Sequence, residues 1–261
     1  MERVPLINLR NVSLRRGEKQ ILTGINWTTH KGEHWFLMGN NGSGKTTLME
    51  IIMGYLWPQE GHVSVLGRRF GEVYLQELRA NIGYVSPWIF KHMREYIPVE
   101  HVIASGTDAS VGYFDNLTKP LEKKIDELLT FFHCSELQGR TFGTLSTGQQ
   151  FKVMLARALM NEPRIIILDE PFSLLDVGSR IQMYQYIETI CRSEGSPQVI
   201  IVTHHFDDLI SVFTHGLLLK EGSIYQKGFR EHVLRKEVLS GAFDISTELI
   251  PFKLVQREQI L

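Results

Sequence analysis

The sequence predicts an α/β protein: a core of buried strands and helices with a small antiparallel sheet at its N-terminal side and an inserted helical lobe. Three observations predict it. A short apolar stretch, Trp35 to Met38, runs into Gly39-Asn40-Asn41-Gly42-Ser43-Gly44-Lys45-Thr46 and then into the helix-like segment Thr47 to Met53. Two further apolar runs, Ile165–Leu168 and Val199–Val202, have the length and β-branched content of strands buried on both faces. Between these parts, from about Trp88 to Phe142, the pattern changes to helical.

Taken in order, residues 4–38 hold short apolar–polar runs (Leu6-Ile7-Asn8-Leu9, Ile21-Leu22, Ile25-Asn26-Trp27) parted by turn signals at Arg16-Gly17 and Lys31-Gly32. They predict an antiparallel sheet that feeds the strand before the glycine-rich loop. Gly61–Gly67 and Asn81–Val85 predict two further strands. Ile97–Ile103 suits a helix with Pro98 near its first turn. Leu121, Ile125, Leu128, Leu129 and Phe132 share one helical face, an apolar stripe best explained as ordinary core. A helix from Thr147 carries Phe151, Met154, Leu155, Ala158 and Leu159 on one side, and another spans Gly178 to Cys191. The tail reads as one helix from Glu231 through Ala242, then a strand over Leu249–Val255. The domain division is a core of residues 4–87 and 161–228, a helical lobe of 88–160 and a C-terminal extension of 229–261. No internal repeat and no low-complexity tract occurs, and there is one phosphate loop.

That loop reads G-x-x-x-x-G-K-[ST], and its strand–loop–helix setting is what makes the motif a phosphate cradle. Glycines let backbone N–H groups turn inward around an anion, and the helix behind adds its positive end. Lys45 would reach the β- and γ-phosphates, and the Thr46 hydroxyl would hold Mg²⁺. The competing reading is a glycine-rich surface turn.

Bulk properties narrow the classes. A chain of 261 residues with 43% apolar and 22% charged residues is an ordinary globular composition. A net charge of −1 argues against a dedicated nucleic-acid binder. Cys134 and Cys191 match no metal or redox spacing, and the ten histidines form no zinc pattern; His133-Cys134 is adjacent, not chelating. Met1–Pro5 lacks a signal-peptide core, and the apolar runs are too short to span a bilayer. The expectation is a soluble chain in a reducing cytoplasm, with any membrane-spanning part supplied by another polypeptide.

Arg164-Ile165-Ile166-Ile167-Leu168-Asp169-Glu170-Pro171 is an apolar strand ending in two carboxylates. Beside a phosphate loop, Asp169 fits coordination of Mg²⁺ and Glu170 fits acceptance of a proton from an attacking water. Alone, the pair would read as two solvated acids at a strand end.

With these pieces in order, the chain resembles the ATPase subunit of the ATP-binding cassette (ABC) family from Leu9 to about Ala242. Leu145-Ser146-Thr147-Gly148-Gln149 is similar to the family signature L-S-G-G-Q. Ser173-Leu174-Leu175-Asp176 resembles the D-loop, and Val202-Thr203-His204-His205 resembles the switch-histidine segment, with His204 at the family's position. The order and spacing of these motifs are specific where each alone is weak. The resemblance implies a P-loop NTPase core that binds ATP with Mg²⁺. Gly39 to Thr47 would hold the nucleotide, Thr46 and Asp169 the metal, and Lys45, Glu170 and His204 the chemistry. It also implies head-to-tail pairing of two cassettes, with Leu145–Gln149 of one covering the γ-phosphate held by the other.

Three positions depart from the family pattern. In Ile82-Gly83-Tyr84-Val85-Ser86-Pro87, Pro87 stands where the family has a glutamine that contacts the metal. Either Ser86 or a water substitutes, or metal sensing and partner coupling differ. Arg16 stands where an aromatic often stacks on adenine; a guanidinium can stack there too, or it is a solvated turn residue. Thr147 replaces the first signature glycine, which predicts slower turnover with the chemistry retained.

Two functional classes follow. In the first, a cassette dimer at the inner face of the cell membrane drives separate transmembrane permease subunits. In the second, a soluble non-transport ABC ATPase acts on a protein or nucleic-acid assembly, a class that Pro87 favours. A kinase or GTPase with the same loop would leave the signature and His204 unexplained. The sequence encodes neither the transported substrate nor its direction.

Overall fold

Residues 4–113 and 115–250 are described by a computed structural model. Contacts divide them into two units, residues 4–73 with 198–250, and residues 74–197. In chain order, the first unit opens with β1 (Ile7–Arg16), β2 (Lys19–Thr29), β3 (Trp35–Met38), α1 (Lys45–Ile52), β4 (Glu60–Val65) and β5 (Arg68–Arg69). The second unit contains α2 (Leu75–Ala80), β6 (Ile82–Val85), α3 (Pro87–His92), α4 (Val99–Ala104), α5 (Lys119–Phe131), α6 (Thr147–Leu159), β7 (Ile165–Asp169) and α7 (Val177–Arg192). The chain then completes the first unit with β8 (Gln198–Val202), β9 (His215–Lys220), β10 (Ser223–Phe229), α8 (Arg230–Val233) and α9 (Lys236–Phe243).

The first unit holds the expected antiparallel sheet, in the order β2-β1-β4-β5. Ile7 faces Thr29 on β2 and Val65 on β4. Buried Ile7 and Leu9 alternate with polar residues, and a register shift before Val12 carries the buried set on to Leu14. The same unit holds β3 between two parallel neighbours: Leu37 lies opposite Val202 of β8 and Leu217 of β9. β10 adds antiparallel to β9. With strands on both sides, β3 is buried along its whole length, as its unbroken apolar run demands. The turn before it is fixed by Glu33, which accepts from His30 N (2.8 Å) and from Trp35 Nε1 (3.0 Å).

In the second unit β6 and β7 pair in parallel, from Ile82 opposite Ile165 to Val85 opposite Leu168. The predicted stripe on α5 is real: Ile125, Leu128, Leu129 and Phe132 are buried, while Leu121 at the first turn is less so. α6 is buried further round than one stripe, because Val153, Ala156 and Arg157 join Phe151, Met154 and Leu155. Pro98 stands directly before the first turn of α4 as its N-cap, with extended backbone (ψ 146°).

The tail differs from the single helix expected over Glu231–Ala242. It breaks at Arg235, whose backbone is extended (ψ 139°). At 100° per residue, Val233 and Ala242 would point to opposite sides of one straight helix; the break lets Val233, Leu234, Leu239 and Ala242 all bury. Leu249 ends a single 3₁₀ turn, Thr247–Leu249, and Ile250 after it is no strand, while residues 251–255 of the expected Leu249–Val255 strand lie outside the described residues. No helix among the described residues is long and apolar enough to cross a membrane.

Candidate active site

The glycine-rich loop leaves the buried end of β3 and turns into α1. Gly44 caps α1 with a left-handed backbone (φ 103°) and contributes no side-chain hydrogen bond to the helix start. The N–H groups of the first turn are therefore left to a ligand or solvent. Lys45 is folded back over the loop and buried, its Nζ donating to Gly39 O (2.8 Å) and Asn40 O (3.2 Å). Ser43 is buried, and its Oγ has no hydrogen-bond partner within the protein. Asn40, Asn41, Gly42 and Thr46 are exposed, with Thr47 half-buried. The packing permits no larger residue at the start of the loop: a Cβ on Gly39 would lie 2.3 Å from Leu219 O. An uncapped helix start, an orphaned buried hydroxyl and a folded lysine at one glycine-lined turn fit a polyphosphate. Arg16 lies at the exposed β1–β2 turn of the same unit.

His204 comes from the strand beside β3. Because Leu37 and Val202 are register partners, the segment after β8 emerges at the sheet edge from which the loop leaves β3. Thr203 N donates to Leu37 O (3.1 Å). His204 is exposed, with its ring 3.9 Å from that of His205.

The second unit carries the carboxylates. β7 is buried throughout and ends in Asp169, which is 4% exposed; Tyr84 of β6 extends its hydroxyl toward Asp169 Oδ2 at 3.5 Å. Glu170 follows with a left-handed backbone (φ 49°) that a non-glycine residue adopts only at a cost. Its carbonyl accepts from Ser173 Oγ (3.0 Å). Both carboxylates line a cavity of about 160 Å³ whose walls include Ser86, Pro87, Phe90, Thr147 and Phe151. Two of the three departures from the family pattern, Pro87 and Thr147, thus lie on one cavity with Asp169 and Glu170. Pro87 is the first residue of α3, a position where the missing N–H is no loss. Ser86 is its N-cap, 1% exposed, with Oγ accepting from Ile89 N (3.4 Å).

The signature segment opens α6 with a capping box: Gln149 N donates to Ser146 Oγ (3.3 Å) and Ser146 N to Gln149 Oε1 (3.0 Å). Leu145 is buried, while Ser146 and Thr147 are exposed. Asp176 caps α7, accepting from Ser179 N (2.9 Å) and Ser179 Oγ (2.7 Å), and these bonds hold its carboxyl below the usual range. Thr46 in the first unit and Asp169 in the second each carry an oxygen of the hard kind that Mg²⁺ takes.

The family model described as ABC transporter matches residues 22–173. The chain belongs to the ABC transporter family. The match takes in the glycine-rich loop, the signature segment and the β7 carboxylates of this ABC chain. Its relatives include the uncharacterized ABC transporter ATP-binding protein YlmA of Bacillus subtilis, 36% identical over 92% of this chain and 91% of YlmA. A putative ABC transporter ATP-binding protein of Streptococcus mutans is 32% identical over 94% of each chain. Among solved structures, the dimeric bacterial ABC transporter cassette MJ0796 matches with a TM-score of 0.73 at 25% identity, over 85% of this chain and 98% of that one. The fold of the ABC chain is that of an α/β P-loop NTPase.

Two buried side chains with full charges, one Asp and one Arg, carry no motif signal in the sequence. Asp208, 1% exposed, accepts from Thr203 Oγ1 (2.6 Å). Arg157, 4% exposed, donates from Nε to Ser105 Oγ (2.9 Å) and from a terminal nitrogen to Ser110 O (2.7 Å), tying α6 to the turn after α4. Neither has a spacing signal, since the partners of Arg157 lie far away in sequence and Asp208 pairs only once the turn has formed.

Proposed function

We propose that Lys45, Glu170 and His204 carry ATP hydrolysis in this chain, and that two copies pair head to tail around two ATP. The chain is the ATPase subunit of an ABC transporter. The observation that carries the residue assignment is the edge formed by β3 and β8: one strand delivers the phosphate loop and its neighbour delivers His204. The loop and Lys45 hold the β- and γ-phosphates, with Arg16 toward the base. Thr46 and Asp169 would hold Mg²⁺, which supplies charge neutralisation on the phosphates. A water oxygen bonds to the γ-phosphorus, the bond from that phosphorus to the β–γ bridging oxygen breaks, and ADP leaves with the electron pair. Glu170 accepts the water's proton. His204 steadies the γ-phosphate and the Glu170–water pair. Ser146, the Gly148 amide and the start of α6 complete the site in trans, where the exposure of Ser146 and Thr147 leaves them available.

ATP then favours the closed pair and hydrolysis releases it, because the γ-phosphate is a shared ligand. We place the pair on the cytoplasmic face of a membrane, driving separate transmembrane subunits. The names of the relatives, ABC transporter ATP-binding proteins, support that reading. The test is Glu170→Gln: ATP binding retained, turnover lost and a dimer accumulating on size-exclusion chromatography with ATP. Wild-type turnover in that variant would remove Glu170 from its role. A tagged pull-down from membranes under gentle detergent tests the partner, and recovery of soluble proteins alone would overturn the membrane assignment.

A further inference from the structure

The turn that presents His204 is braced from behind by a buried carboxylate. Asp208 Oδ2 accepts from Thr203 Oγ1 at 2.6 Å, and both residues are excluded from solvent, at 1% and 0% exposure. The same Thr203 hydroxyl oxygen accepts from His205 N at 3.0 Å. Thr203 N is fixed to Leu37 O on the strand that feeds the phosphate loop. The residues on both sides of His204 are therefore pinned, one to β3 and the other to a hydroxyl whose orientation Asp208 dictates. A hydroxyl has one proton to donate. While Asp208 takes that proton, the Thr203 lone pairs face the His205 N–H. Without Asp208 the hydroxyl can rotate, and the backbone around His204 loses its inner brace.

We propose that Asp208 is a positioning residue for ATP hydrolysis, acting through Thr203 to fix the backbone that carries His204. The proposal rests on the role given to His204 above. A carboxylate sealed from water is costly unless its hydrogen bonds are kept, and here a kept bond is spent on the two-residue turn that aims His204. A misplacement of about 1 Å at a reacting group costs on the order of 100-fold in rate, so a brace of this kind is felt in turnover before it is felt in binding.

The test uses the full chain and reads kcat, the KM for ATP and the directly measured ATP dissociation constant. Asp208→Ala and the near-isosteric Thr203→Val are each expected to lower kcat about 10- to 100-fold, with KM and the dissociation constant within about threefold of wild type. Asp208→Asn, whose amide oxygen still accepts from Thr203, is expected to recover most of the loss. In a His204→Ala background, Asp208→Ala is expected to lower kcat further by less than about twofold, because the group it positions is gone. Unchanged kcat in Asp208→Ala, or a loss that multiplies with that of His204→Ala, overturns the proposal. If Asp208→Ala does not fold, Thr203→Val decides alone by the same criteria. The two readings separate cleanly. Wild-type turnover in His204→Ala removes the role of His204 and the positioning claim with it, whereas an impaired His204→Ala beside an unimpaired Asp208→Ala removes only the positioning claim.

Discussion

Gly148 of the signature segment lies directly against Ser179 of α7: a Cβ added to Gly148 would sit 2.6 Å from Ser179 Oγ and 3.2 Å from Ser179 Cβ. Ser179 is also the residue that Asp176 caps through two hydrogen bonds. The signature glycine and the D-loop aspartate therefore meet at one serine, and the space allowed at Gly148 is set by the α7 cap.

Gly148→Ala is accordingly expected to push the Ser179 hydroxyl off Asp176 and weaken the cap, lowering the denaturant midpoint. Adding Ser179→Ala removes the atom that collides and leaves a Cβ–Cβ contact of 3.2 Å, still tight but relieved by a shift of a few tenths of an ångström. The double variant should then be more stable than the sum of the two single losses predicts, read as a coupling in denaturant midpoints. Strict additivity would show that the contact is not what fixes glycine at 148.

Three loop glycines should differ in what alanine does to them. At Gly39 the new Cβ meets a backbone oxygen at 2.3 Å, which cannot swing aside. At Gly44 it meets the flexible end of Leu22 at 2.6 Å, with added backbone strain at φ 103°. At Gly42 it meets nothing within 4 Å, so strain alone acts. Left-handed strain costs about 1–3 kcal/mol, so melting temperatures should fall most for Gly39→Ala and least for Gly42→Ala. The reverse order would mean that the loop backbone relaxes freely.

Both thiols should be silent in the folded protein. Burial pushes Cys134 up to about 11 and Cys191 up to about 12, so little thiolate exists at pH 8 and it is sheltered. Titration with a disulfide reagent at pH 8 should show no fast thiol in the native chain and two in guanidinium, matching the two cysteines of the sequence. One fast native thiol would contradict the packing around that residue.

The core strands and the phosphate loop were legible because each rests on local chemistry. The unbroken apolar run of Trp35–Met38 requires neighbours on both sides, and β8 and β9 provide them. The cradle needs glycines at fixed offsets, which a single sequence displays. What was not legible depends on contacts between distant residues. Arg157 sits at a helix position that would suit a solvated charge, yet the turn after α4 wraps over it. The break at Arg235 follows from burying residues that no single helical face could bury together. Pro87 read as a missing ligand in the sequence; in the structure it is also the first residue of a helix capped by Ser86.

His215 gives the fold a pH dependence whose sign can be worked out. Its ring lies between Trp35 (centroids 4.9 Å) and Phe229 (4.7 Å), and Thr214 Oγ1 contacts its Nδ1 at 2.8 Å. Burial lowers its pKa below the ordinary 6.5; Glu33 and Glu231 pull the other way without cancelling that effect, and His30 adds to it. The folded state then binds fewer protons than the unfolded state just below the ordinary value. The stability it protects is complete above that value and is lost as pH falls from there through the depressed folded pKa. Denaturant midpoints measured between pH 8 and pH 5 should therefore fall toward acid, and His215→Phe, which keeps an aromatic ring in the stack, should flatten that fall relative to wild type. Parallel profiles for the two proteins would show that His215 does not carry the dependence.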